Sequence, residues 1–161
     1  DRILGWEFTI KNGEFDTGKA TVLGNPTLYQ VESIKADKHY QTLLVAEEMK
    51  EHHKVMVLDL VSGEVIKEDL GNFNRGNDPE GIALVTNKDN GGYWICTEQS
   101  KTDNRFHLYD RKTLEYMTTM YLDNVSYTDG ITTAYMHGKW YLYAVDNDAR
   151  VVAFELPEIN S

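Results

Sequence analysis

The chain has 161 residues, enough for one domain with a real core, and carries ten Tyr, three Trp and five Phe beside a single cysteine, Cys96. Sixteen basic against twenty-six acidic side chains give a formal charge of −10, a field that repels nucleic acid and anionic lipid and concentrates cations. No stretch approaches the ~18 continuous apolar residues of a membrane span, a lone cysteine cannot close an intrachain disulfide, and the aromatic-rich composition excludes a disordered chain or a helical bundle.

The first element is a hairpin. Gly5-Trp6-Glu7-Phe8-Thr9-Ile10 and Lys19-Ala20-Thr21-Val22-Leu23 flank a turn around Asn12-Gly13, the pair that best fits a tight two-residue β-turn. A unit of four strands follows: Gln30–Ile34, Thr42–Glu48, Lys54–Leu60 and Val65–Lys67. A second unit repeats the design with Asp78–Ile82, Tyr93–Gln99, Arg105–Arg111 and Tyr116–Tyr121. A third has Thr128–Ile131, a turn at His137-Gly138, Trp140–Asn147 and Arg150–Leu156, and lacks a fourth strand. Short runs of β-branched and aromatic residues between Gly, Asn and Asp turns predict strands, not a helical repeat.

The register of the repeat is set by acidic residues. Glu32, Glu80 and Asp129 are spaced 48 and 49 residues apart; Glu47, Glu98 and Asp146 recur at 51 and 48, each followed by Glu48, Gln99 or Asn147. That period is the one expected of four-stranded propeller blades. The predicted fold is therefore all-β: a partial ring of about 3.5 propeller blades in one domain over 1–161. It divides into an outer hairpin at 1–27, blades at 28–74 and 75–125, and a blade short of its last strand at 126–161. A ring begun in mid-blade is expected to be completed by another segment, which would protect its edges.

In a propeller the first strand of each blade lines the central channel, so Glu32, Glu80 and Asp129 converge at one mouth. One such residue reads as a strand-start hydrogen bond to backbone; three in register, each backed by a second acid or amide, favour a ligand site. Gathered carboxylates repel and raise one another's pKa unless a cation neutralises them. Hard oxygen donors select Ca²⁺ or Mg²⁺, with Ca²⁺ the better fit to irregular geometry.

Other chemistry finds little support. His52-His53 sits in an acidic loop and reads as solvated, because adjacent residues on an extended segment point to opposite faces. His39, His107 and His137 lack zinc spacing. There is no Gly-x-Ser-x-Gly elbow and no phosphate-cradling loop. Lys101, Arg105 and Lys139 read as solvated cations. Cys96 and most strand aromatics read as core.

These residues resemble the β-propeller phytases, six-bladed calcium-dependent enzymes that hydrolyse inositol hexakisphosphate. Glu32-Ser33-Ile34 with Ala46-Glu47-Glu48 is similar to the family's Thr-Glu-Gly-Met and Ala-Glu-Glu. Asp78-Pro79-Glu80-Gly81-Ile82, Glu98-Gln99 and Tyr109-Asp110-Arg111 look like its Asp-Ile-Glu-Gly-Leu, Ser-Gln and Tyr-Asp-Arg, and Thr128-Asp129-Gly130-Ile131 resembles its Thr-Asp-Gly-Ile. The match runs from about Trp6 to Leu156 and corresponds to the family's C-terminal half. The resemblance implies Ca²⁺ held by Glu32, Glu48, Asp78, Glu80, Gln99 and Asp129, with Glu32, Glu48 and Glu80 on the catalytic ion and a metal-activated water attacking phosphate. It also implies a phosphorylated small-molecule substrate, an N-terminal half that supplies the basic clamp, and an extracellular or periplasmic location, although no signal-peptide pattern opens the chain. Departures are Ser33 for a glycine, Thr132 for an aspartate, and a short loop from Lys50 to Lys54. Two other functions fit the same fold: a lactonase-like propeller with one calcium polarising an ester carbonyl, and a non-catalytic binding module stiffened by calcium.

Overall fold

The computed structural model describes residues 3–74 and 76–157. Thirteen strands and no helix occur among these residues, arranged as four antiparallel sheets. The first sheet is a ribbon of β1 (Ile3–Lys11) and β2 (Glu14–Leu23). The second has β3 (Val31–Asp37), β4 (Thr42–Glu47), β5 (Lys54–Asp59) and β6 (Val65–Lys67) in sequential order. The third has β7 (Asp78–Thr86), β8 (Gly92–Gln99), β9 (Arg105–Asp110) and β10 (Tyr116–Tyr121), likewise in order, and the fourth β11 (Ile131–Met136), β12 (Lys139–Asp146) and β13 (Arg150–Glu155). This is a partial β-propeller: up-and-down blades stacked face to face, without closure of the ring.

The turns obey the residues in them. Asn12-Gly13 and His137-Gly138 both have two positive φ angles, 55° and 84° and then 52° and 84°. That backbone twist matches the strands it joins and is nearly free of cost where glycine takes the second place.

Packing between blades explains the strand composition. Central strand β4 is buried along its whole length, because it is covered on both sides. Leu44 and Ala46 face the third sheet and join Trp94, Cys96 and Tyr109 in one core; Leu43 and Val45 face the other way, with Met56, Leu58 and Leu28. A further core of Ile95, Phe106, Leu108, Leu142 and Ala144 joins the third sheet to the fourth. Trp94 and Phe106 are fully enclosed, and truncating either to Ala would cost about 3–5 kcal/mol. Cys96 lies in the core between the second and third sheets, buried as expected, and burial pushes its thiol pKa up.

The ribbon differs. Leu4, Trp6, Phe8 and Ile10 alternate along one face of β1, with Phe15 and Val22 opposite them on β2, and all six are exposed.

A buried ion pair locks the second blade to the third at the end of the inner strands away from Glu32. Arg111 donates to both carboxylate oxygens of Asp37, at 2.6 and 2.9 Å, and to the carbonyls of Asn90 and Gly91. Its guanidinium also lies over the Tyr40 ring, 5.2 Å from the centroid.

Candidate metal centre

Inner strands β3, β7 and β11 run side by side, and their starting residues form the site. Two of them carry a bulge there. The pairing of β3 with β4 slips between Val31 and Ser33, and that of β7 with β8 between Pro79 and Ile82. The residues skipped by the ladder are Glu32 and the pair Glu80-Gly81, so the bulges re-aim the acidic side chains away from the sheet plane.

Close contact between inner strands sets the spacing of these side chains. Ser33 Oγ accepts a hydrogen bond from Ile82 N at 3.2 Å, and Thr133 Oγ1 donates to the Leu84 carbonyl at 2.8 Å. At Gly81 a Cβ would stand 2.7 Å from the Asp129 carbonyl oxygen and 2.9 Å from Ile131 N. Only glycine lets β7 and β11 approach this closely, which brings Glu80 toward Asp129.

Carboxylate oxygens of Glu32, Glu48 and Glu80 lie within 4.8 Å of one another. Among the described residues no basic side chain forms an ion pair with any of the three. Their electrostatics follow. Glu80 is buried, and burial together with the neighbouring Glu48, Glu32 and Asp129 pushes its carboxyl up to about 9. Glu32 is raised by burial and by Glu48, with smaller contributions from Asp129 and Glu47. Asp129 is raised by burial and by Asp148, against a hydrogen bond that Gln99 Nε2 donates to its Oδ1. Asp78 is raised by burial; a nearby His53 lowers it and Glu48 raises it.

The second acidic column has another task. Glu47 is fully enclosed and accepts from the backbone N–H groups of Tyr29, Gln30 and Met49 at 2.6, 2.6 and 3.2 Å. Glu98, equally enclosed, accepts from Asn74 N, Asn74 Nδ2, Asn77 Nδ2 and His107 Nε2 at 3.0, 2.8, 2.6 and 2.7 Å. Asp146 accepts from Ser126 N at 3.0 Å and from Arg150 Nε at 2.6 Å. Each therefore ties down the segment that leads into the inner strand of its own blade. Because successive residues of a strand point to opposite sides, the next residue in two blades, Glu48 or Gln99, is directed to the mouth. Asn147 instead starts a turn, its N–H bonded to the Ser126 carbonyl at 2.9 Å.

Two members of the site are not visible in the repeat. Asp148, at the second left-handed position of the Asn147-Asp148 turn (φ 52°), is the residue that meets Asp129. The second is His53, and here the expectation of a solvated His52-His53 is corrected for His53 alone, since His52 is exposed. Residues 49–52 form a turn closed by His52 N to the Met49 carbonyl at 2.6 Å, not an extended segment. His52 stacks on Tyr29 with ring centroids 4.2 Å apart. His53 is carried inward, its side chain 10 % exposed and its Nε2 3.1 Å from Asp78 Oδ1. His107, by contrast, is buried between Glu98 and Thr119 as a structural side chain.

The family model Phytase matches residues 7–145. The chain belongs to the Phytase family. Comparison with curated proteins gives no match. The phytase assignment makes phosphoester hydrolysis the family-level activity, and it agrees with the blades described above. No helix among the described residues of this phytase-family chain is long and apolar enough to cross a membrane.

Proposed function

We propose that this chain carries the metal-holding part of a calcium-dependent phosphomonoester hydrolase acting on myo-inositol hexakisphosphate or a related phosphoester. The observation that carries the reading is the Glu32, Glu48 and Glu80 cluster, three carboxylates within 4.8 Å with no basic partner among the described residues. Their donors are all carboxylate oxygens, which fits a hard ion of adaptable coordination number such as calcium. Bound calcium would lower the repulsion between acidic mouth and phosphate and supply a water activated for in-line attack.

The chain's own residues do the rest. Glu32, Glu48 and Glu80 would hold the ion, with Asp78, Gln99 and Asp129 around them. Glu80 holds a proton at neutral pH in the ion-free protein, which an entering cation would displace. Glu47, Glu98 and Asp146 keep the lead-in segments fixed so that the ligands do not have to be ordered on binding. The exposed apolar face of β1 and β2 fits the flank of a neighbouring blade, so the N-terminal half of a six-bladed ring would complete the mouth. An extracellular or periplasmic location belongs to the same proposal.

The test is phosphate release from myo-inositol hexakisphosphate by the complete protein, with and without a chelator. Release that stops on chelation and returns with Ca²⁺ supports the reading; release indifferent to chelation overturns it.

A further inference from the structure

His53 has no role in the site so far, and its geometry is unusual. Its side chain is nine-tenths buried, and Nε2 is sealed from solvent without a hydrogen bond. Yet Asp78 Oδ1 lies 3.1 Å away. The two atoms are close but form no hydrogen bond, as two metal-ligand atoms placed side by side would. Two ligand atoms each about 2.1 Å from one ion and about 90° apart stand about 3 Å from each other. The pair has the spacing of one edge of a coordination polyhedron.

The placement is held from behind. Glu47 accepts from Met49 N, the Met49 carbonyl accepts from His52 N, and the His52 ring stacks on Tyr29, whose own N–H is bonded to Glu47. One buried carboxylate thus fixes both sides of the loop that presents His53. Asp78 in turn belongs to β7, in register with Gln99 and two residues before Glu80, and Glu48 is close enough to disfavour its ionisation.

We propose that His53 Nε2 and the Asp78 carboxylate form one arm of a mixed nitrogen–oxygen metal site at the edge of the acidic mouth, which takes a borderline divalent cation such as Co²⁺, Zn²⁺ or Mn²⁺. Imidazole nitrogen suits such ions and suits calcium poorly, whereas the Glu32, Glu48 and Glu80 cluster offers oxygen alone. The inference extends the reading of the mouth as a cation site, but it depends only on His53 and Asp78.

The experiment titrates Co²⁺ alone into the chelator-treated full chain and follows visible absorption and proton NMR. The expected result is a saturable Co²⁺ complex with a hyperfine-shifted exchangeable proton, the Nδ1–H of a ligated imidazole. His53→Gln should lower Co²⁺ affinity by at least ~10-fold, with an unchanged melting temperature in chelator as the check on folding. A wild-type complex without that proton overturns the proposal, as does a folded His53→Gln chain that binds Co²⁺ as tightly as the wild type. Ca²⁺ alone, titrated into the same proteins and into Glu32→Gln/Glu80→Gln, reads the calcium proposal separately. His53-dependent Co²⁺ binding without Ca²⁺ binding would leave this inference standing and remove the other.

Discussion

Glu98→Gln separates the two acidic columns by energy. Glu98 is wholly enclosed and receives four hydrogen bonds, from Asn74 N, Asn74 Nδ2, Asn77 Nδ2 and His107 Nε2. Burial alone would raise its carboxyl, but the bonds from His107, Asn77 and Asn74 outweigh it and bring the pKa from 4.5 to about 2. At ~1.4 kcal/mol per tenfold change in acidity, that difference is worth roughly 3 kcal/mol. The folded pKa is depressed, so this stability is fully present above 4.5 and disappears as pH falls toward about 2. Gln turns an amide N–H₂ toward groups that are themselves donors, and it cannot titrate. Urea denaturation with EDTA present should therefore show the variant less stable by about 3 kcal/mol at about pH 7. The gap should narrow as the pH is lowered toward about 2, where wild-type Glu98 is taking up its own proton. A gap that does not change with pH, or one below ~1 kcal/mol at neutral pH, would refute the assignment of Glu98 to a charge-assisted anchor.

Gly81→Ala places a methyl 2.7 Å from the Asp129 carbonyl; β7 and β11 must part, with an expected stability loss of about 1–3 kcal/mol and weaker Ca²⁺ binding by calorimetry. Arg111→Ala leaves Asp37, 3 % exposed, as an unpaired buried charge and should cost about 3–5 kcal/mol in urea denaturation. Asp37 is raised by burial but lowered further by its bonds from Arg111, for a net depression below 3.8, so this pair's stability is present above pH 3.8 and fades as pH falls below it. Glu80 behaves in the opposite sense: with its carboxyl raised to about 9, the metal-free protein should lose stability as pH rises from 4.5 toward about 9, and Glu80→Gln should flatten that slope in thermal melts.

The blades were legible because the features that define them are local. Strand runs, Asn12-Gly13 and His137-Gly138 turns, and a period near 48 residues can all be read without knowing what touches what. Convergence of Glu32 and Glu80 followed from the fold, since any first strand of a blade faces the channel. The division of labour within Glu47-Glu48 and Glu98-Gln99 was not legible in the strand pattern, and only the family resemblance pointed to Glu48 and Gln99. Adjacent residues on a strand face opposite ways, but sequence does not say which way is inward, and Glu47 and Glu98 prove to be the anchors. His53 was missed because a four-residue turn, stabilised by the distant Tyr29 and Glu47, replaces the extended segment its neighbours suggest. Asp148 was missed because Asn147 occupies the repeat position while the turn delivers the next side chain to Asp129; two polar residues able to adopt left-handed φ were the available signal.

The role proposed for the Glu32, Glu48 and Glu80 carboxylates is to hold calcium. Calorimetric titration of Ca²⁺ into the full chain near neutral pH, in two buffers of different ionisation enthalpy, tests it most directly. Saturable binding with release of about one proton, that of Glu80, is expected, with loss of both in Glu32→Gln/Glu80→Gln. Absence of binding, or binding that the double variant leaves intact, would contradict it.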